Sequence, residues 1–263
     1  MRRDVTARIA LEATGPARLA LAIAVAGDAP VGEQFSAWQN GERRDIRLVD
    51  DLHGGRLHVC DVDAGAVQIE YSASVIGLLP QAPFEPLDGI RYLRPSRYCE
   101  SDVLRPVAIA EFGGLSGVDL LAAVSSWVGV KIAYLAGSSL PTDGAVRTLL
   151  TRQGVCRDFA HLVVAFLRAL DVPARVVSVY APGLSPMDFH AVAEAAVDGV
   201  WHVLDATTHA PRGTMLRIAT GRDAADTAFL ASQGDQVLLT GLEVSAVADE
   251  LPNDDVTQLA MLR

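Results

Sequence analysis

The sequence predicts an α+β protein in two parts: a β-rich N-terminal domain and an α+β domain built on a cysteine-bearing helix. Three observations carry this. Apolar residues alternate with a period of two in short runs over the first eighty or so positions. A proline-rich stretch, Pro80 to Gly89, then breaks the pattern. Beyond it, apolar positions fall at three- and four-residue steps along helical segments, the last of which gives way to a strand and a hairpin.

The N-terminal elements follow from local pattern. Leu19, Leu21, Ile23 and Val25 alternate with Ala20, Ala22 and Ala24, which reads as a strand. Met1-Arg2-Arg3 ahead of that apolar stretch imitates a secretion signal, but Asp4, Glu12 and Arg18 interrupt it. Asp45 to Val49, Arg56 to Val62 and Ala66 to Val75 are further alternating runs, parted by Asp51, His53-Gly54-Gly55 and Asp63-Ala64-Gly65. This spacing predicts a small antiparallel β-domain over residues 1–80. Pro80, Pro83 and Pro86 favour extended chain, so residues 81–105 are expected to form a linker. Residues 106–263 are expected to form the second domain.

In that second domain Leu120, Leu121, Val124, Trp127, Val128, Ile132 and Leu135 form a helical stripe, ended by Gly137-Ser138-Ser139-Leu140-Pro141. A short segment, Ala145 to Leu150, leads into the strongest amphipathic pattern in the chain. There Val155, Phe159, Leu162, Val163, Phe166, Leu167 and Leu170 share one face, and Asp171-Val172-Pro173 stops the helix. Arg175 to Tyr180 reads as a strand. Phe189 to Val197 and Val200 to Thr207 flank Asp198-Gly199, the dipeptide of two-residue hairpin turns. With that turn, Val197 lies opposite Val200, Val192 faces Asp205 and His190 faces Thr207. His190 and Asp205 then become diagonal neighbours on one sheet face, with Cα atoms about 7–8 Å apart. A slip of one residue would send them to opposite faces.

Composition narrows the function. Half the residues are hydrophobic and 21% are charged, as in an ordinary folded soluble chain. Lys plus Arg is 22 against 32 Asp plus Glu, a formal net charge of −10, which argues against nucleic acid or an anionic membrane as partner. No apolar run approaches the ~20 residues that span a bilayer. Cys60, Cys99 and Cys156 are too few and scattered for a disulfide framework, and an odd count leaves a free thiol. The expectation is a cytoplasmic protein; its oligomeric state is not legible.

Cys156 opens the amphipathic helix, and His190 and Asp205 come from paired strands downstream. A helix start presents unpaired N–H groups and a partial positive charge that favour a thiolate. An imidazole completes a thiolate–imidazolium pair, and a carboxylate orients the imidazole. The chemistry expected is attack on an amide carbonyl, an acyl-enzyme, and release by water or an amine, with hydrolysis favoured. The substrate would be a peptide or other amide, with no metal or organic cofactor. The Cys156 amide N–H stands where one oxyanion donor belongs. The second donor is not legible, since Gln153 reads more simply as a polar residue near the helix start.

Other polar residues have plainer readings. His53, His58 and Cys60 lack a fourth ligand at zinc spacing and read as turn and strand residues. His161 reads as a helix-packing residue, and His202 as pointing to the face opposite His190. His209 is a secondary pocket residue in the loop after Asp205. Arg157 and Asp158 serve the first helical turn, and Asp223 caps a short helix after Gly221-Arg222. Trp201 either shields the His190–Asp205 face or belongs to the core. Gly113-Gly114-Leu115-Ser116-Gly117 lacks the lysine of a phosphate loop.

The segment Arg152-Gln153-Gly154-Val155-Cys156-Arg157-Asp158-Phe159-Ala160-His161 resembles the cysteine motif of bacterial transglutaminase-like proteins. Leu170-Asp171-Val172-Pro173-Ala174-Arg175 is similar to its usual continuation. His190-Ala191, Glu194, Trp201, Leu204-Asp205 and Thr207 are similar to the family's His and Asp motifs, in order. The resemblance covers roughly residues 118–207, and the β-rich region before it is similar to the one that often precedes this domain in bacteria. One departure is Val192, where many relatives carry an aromatic residue. The resemblance implies a papain-like α+β core with Cys156, His190 and Asp205 as its catalytic triad. Members include peptidases, amide-cleaving enzymes, cross-linking transglutaminases and inactive scaffolds, so it leaves the reaction open.

Overall fold

The computed structural model describes residues 1–28 and 30–263. Two antiparallel sheets share one core in the N-terminal region. The first carries β1 (Arg2–Ala13), β3 (Val31–Gln39), β4 (Glu42–Arg43) and β7 (Gly65–Ile76); the second carries β2 (Ala17–Leu21), β5 (Arg47–Asp50) and β6 (Arg56–Val62). β1 shows why these segments are strands. Val5, Ala7, Ile9, Leu11 and Ala13 are buried, while the residues between them face outward. Leu19, Leu21, Cys60 and Val62 meet them from the second sheet, with Ile69 and Tyr71 beside them on β7. The strand expected from Leu19 to Val25 ends at Leu21. Residues 22–26 run irregularly but stay buried, because Tyr71 Oη accepts from the Val25 N–H at 2.9 Å and Tyr180 Oη donates to the Ile23 carbonyl at 2.8 Å.

Residues 81–105 are more than a linker. The prolines keep the chain out of regular structure up to Leu87, as predicted, but α1 (Asp88–Arg91) follows and α2 (Ser101–Phe112) begins within the stretch. Tyr92 is fully buried, edge-on to Trp201, with its hydroxyl 2.7 Å from His53 Nε2. This segment is therefore a packed strap joining the two halves.

The second half is a helical layer on a four-stranded antiparallel sheet. α3 (Gly117–Lys131), α4 (Ala145–Thr151) and α2 surround α5 (Cys156–Ala169). α5 lies on the sheet formed by β12 (Val200–Leu204), β11 (Phe189–Val197), β10 (Ala174–Tyr180) and β13 (Leu216–Gly221), in that order. Ala174, Ala193 and Ala195 supply small side chains to this contact, letting the helix approach closely, with Val176 and Leu204 packed beside them. Between the helices, β8 (Ala133–Tyr134) and β9 (Gln153–Gly154) form a two-residue parallel bridge. After β13 come α6 (Ala224–Thr227), β14 (Leu230–Gly234) and β15 (Val237–Ala248).

The last two strands correct the expected division at residues 106–263. β14 pairs with β2, and β15 pairs with β1 along its length, so the C-terminal part returns to complete both N-terminal sheets. The physical reason is edge protection. Without β15 the strand β1 would present an unpaired edge, and Val244 and Ala246 would lose the core that buries them. A register shift beside Ala10/Leu11 places Thr240 out of phase, which blurs the alternation of β15 in the sequence.

Candidate active site

Hairpin geometry sets the site's first pair. Val197 pairs with Val200 across Asp198-Gly199, and the ladder runs back through Ala195–His202 to Ala193–Leu204. Asp198 and Gly199 both have positive φ, the backbone that a two-residue hairpin turn requires. Continued by one step, that register puts Asp205 beside Val192. The His190 Nε2 lies 2.9 Å from Asp205 Oδ2. Both side chains are almost completely buried. The other Asp205 oxygen accepts from the Thr207 N–H at 3.0 Å and its hydroxyl at 2.7 Å, which locks the carboxylate.

Cys156 comes from a different element. It is the first residue of α5, half-buried, and its thiol lies beside the His190 ring. Since Nε2 is engaged with Asp205, the ring presents Nδ1 to the sulfur. Burial works against the charged imidazole. The Asp205 carboxylate and hydrogen bonds to Asp205 and Cys156 outweigh it and hold His190 well above its ordinary value. Burial likewise works against ionised Asp205, but His190 and the Thr207 hydrogen bonds keep its carboxyl below the usual range. Asp158 braces the helix start: its Oδ2 accepts from the Val155 N–H at 2.8 Å and its Oδ1 from the Ser139 hydroxyl at 3.0 Å.

The structure thus brings Cys156, His190 and Asp205 together. Cys156 and His190 line a mainly apolar cleft of about 450 Å³, walled by Val176, Ile218 and Ala228 and also by Ala22, just past β2, and Leu242 of β15. Both halves of the molecule therefore wall the cleft. A larger cavity of about 870 Å³ opens elsewhere, between His53 and the strap, and contains neither Cys156 nor His190.

The remaining polar residues sort by position. His161 stacks on Tyr98 and its Nε2 accepts from the Ala224 N–H at 3.0 Å, a packing role. Asp223 caps α6 through the Ala225 N–H at 2.9 Å. His202 pairs with Ala195, out of phase with His190. Trp201 belongs to the core, with Arg175 3.8 Å over its ring, and does not shield the His190–Asp205 pair. His58 is stacked on Phe35 inside the β-domain and Cys60 is in its core. Gln153 lies in β9.

Two features escaped sequence reasoning. Glu194, quoted above only as part of a motif, is a buried carboxylate between Arg175 Nε at 2.8 Å and Arg217 Nη2 at 2.7 Å. Tyr134 pairs with Gly154 in the β8–β9 bridge, with its ring 5.8 Å from that of Phe159 in the cysteine helix, and no periodicity marks it.

Residues 113–206 match the family model of the transglutaminase-like superfamily. This is a transglutaminase-like domain. The whole chain is similar to a candidate cysteine protease from Cytophaga hutchinsonii, at 29% identity over 96% of this chain and 92% of that one, with a TM-score of 0.85. Over 63 residues it is 40% identical to an uncharacterised protein of Mycobacterium tuberculosis, and over 58 residues 36% identical to one of Mycobacterium leprae. The match spans about a fifth of the length of these curated relatives (20% and 21%). The transglutaminase-like domain and the α+β fold around it support a cysteine-based enzyme in general terms.

Proposed function

We propose that the protein is a cysteine-nucleophile acyl-transfer enzyme that cleaves amide bonds, with Cys156 as nucleophile, His190 as acid and base, and Asp205 as the group that orients and charges His190. The observation that carries this reading is the 2.9 Å His190–Asp205 contact beside a half-buried thiol at a helix N-terminus. Such a thiol faces the helix dipole and a protonated imidazole, so thiolate and imidazolium stabilise each other.

The sulfur attacks the amide carbonyl. His190 then delivers its proton to the departing amine, and the acyl group remains on Cys156 as a thioester. Water, deprotonated by the now neutral His190, attacks the thioester and releases the acid. The apolar cleft walls suit an apolar group beside the scissile carbonyl, because they gain from contact and could not solvate a charge.

The partner in the second half-reaction is tested with dimethylated casein and dansylcadaverine. Hydrolysis predicts cleaved casein chains, little dansyl incorporation, and loss of both in Cys156→Ser. Dansyl-labelled, uncleaved casein would overturn hydrolysis in favour of transglutaminase-type amine transfer.

A further inference from the structure

We propose that the cleft beside Cys156 is a specificity pocket for one bulky apolar side chain, of the leucine or phenylalanine class, on a residue adjoining the scissile amide. This deepens the reading of Cys156 as an acyl-transfer nucleophile and rests on it.

The pocket follows from where the cysteine helix starts. α5 covers the sheet at Ala174, Ala193 and Ala195, and it begins only at Cys156. Side chains two residues apart on a strand share a face. The covered face therefore continues past the helix start through Val176 and Ser178 of β10 and through Ala191, which pairs with Ser178. These three line the cleft with Cys156 and His190. β13 adds a bulge: Ser178 pairs with Ala219 and Val179 with Arg217, which leaves Ile218 as the extra residue. Arg217 turns to Glu194, while Ile218 turns the other way and joins the core of the N-terminal sheets at the cleft.

The N-terminal half closes the far wall with Ala22, Leu230 of β14 and Leu242 of β15. Phe229 ties that wall to the sheet. Its carbonyl accepts from the Ala22 N–H at 3.0 Å, and its ring stacks 5.3 Å from that of Phe189, the residue before His190. Small residues make the mouth: Ala225 of α6 and Ala228 just after it are exposed and leave it open. α6 is held to the cysteine helix, because His161 Nε2 accepts from the Ala224 N–H at 3.0 Å. At about 450 Å³ the space lies within the range of roughly 300–1,000 Å³ of small-ligand sites, enough for a large side chain.

Nothing in the pocket is placed to receive a charge. Apart from Cys156 and His190, the charged side chains at the cleft are Arg157 and Asp188. Arg157 Nη2 donates to the Ser139 hydroxyl at 2.7 Å and the Leu140 carbonyl at 3.1 Å. Asp188 is exposed, and its Oδ1 accepts from the Phe189 N–H at 2.7 Å. Deeper in, the Ser178 hydroxyl already accepts from the Ala219 N–H at 3.2 Å. A charged substrate group would give up its water there without a partner, whereas an apolar one gains from burial.

Haloacetamides that differ only beyond the amide separate the pocket from the thiol. Iodoacetamide, N-(2-phenylethyl)iodoacetamide and N-(2-carboxyethyl)iodoacetamide are reacted with the folded chain, and each Cys156 rate is divided by that reagent's rate with glutathione. The proposal predicts that the phenylethyl reagent gains roughly tenfold or more over iodoacetamide, with saturation, and that the carboxyethyl reagent gains nothing. In Ala228→Trp, which crowds the mouth, the phenylethyl-to-iodoacetamide ratio should fall close to one. A phenylethyl reagent no faster than iodoacetamide on wild type would overturn the pocket and leave the nucleophile standing. An equal gain for the carboxyethyl reagent, or an undiminished ratio in Ala228→Trp, would overturn it too. A folded protein whose Cys156 reacts with none of the three would overturn the nucleophile reading, and this inference with it.

Discussion

At the scale of the residue, the site depends on how Asp205 governs His190. His190 is held above its ordinary value, so its stabilising contribution is complete below about pH 6.5 and is lost as pH climbs through the folded-state value. Asp205 is held below its ordinary value, so its contribution is present above about pH 3.9 and is lost as pH falls. Asp205→Asn should therefore lower stability by about 1.5–3 kcal/mol in the mildly acid to neutral range, the worth of a charged hydrogen bond. Thermal unfolding across pH checks this, since the deficit should shrink on the alkaline side. The same variant should react with acyl substrates about 10²-fold more slowly. His190 and Asp205 were legible in the sequence because Asp198-Gly199 dictates the hairpin register, and register alone decides which residues share a face. The place of Tyr134 beside the cysteine helix was not, because it depends on a two-residue parallel bridge to Gly154 that no periodicity announces.

At the scale of the element, the sheet that presents His190 is anchored by a buried cluster further along the same strand. Glu194 lies on the same face as His190, four residues on, between Arg175 and Arg217. Burial opposes its charge, but the two guanidiniums win and hold the carboxyl down to about 2. Its contribution is thus complete above about pH 4.3 and is lost only as pH falls toward that value. Glu194→Gln would leave two buried guanidiniums without their counter-charge, and we expect a loss of roughly 3–5 kcal/mol in urea denaturation at neutral pH. The variant should keep Cys156 reactive wherever it remains folded. His53 ties this cluster to the N-terminal half, with Nδ1 3.3 Å from Arg175 Nη1 and Nε2 2.7 Å from the Tyr92 hydroxyl. The helices and strands from Val118 to Thr207 were readable from apolar spacing and turn residues, although α5, β10 and β11 are buried on both faces. This cluster was not, since Arg175, Glu194, Arg217 and His53 lie on four segments that only the folded chain brings together.

At the scale of the whole molecule, the two halves are interleaved. β14 and β15 close the N-terminal sheets, and Leu242 of β15 and Ala22, just past β2, wall the cleft beside Cys156. Deleting residues 236–263 should expose the β1 edge and the core beneath it, giving a chain that aggregates or lacks a cooperative unfolding transition by circular dichroism. Independent folding of residues 1–80 would contradict this account of the sheets. The boundary between two domains was misread because a proline-rich strap looks the same in sequence whether it hangs free or packs. A returning strand that carries a bulge also loses the alternation that would reveal it.

The central claim, that Cys156 is an activated nucleophile, is tested most directly by the pH dependence of iodoacetamide labelling, with each cysteine followed by peptide mass spectrometry. Cys60 and Cys99 are internal controls, since burial shields both thiols and pushes both pKa values up, that of Cys99 to about 12. The account predicts labelling confined to Cys156 in the folded protein, already fast below neutral pH and slowed in His190→Ala. Labelling that rises only near the ordinary thiol value of about 8.5, or a folded protein in which Cys156 is as inert as the other two, would contradict it.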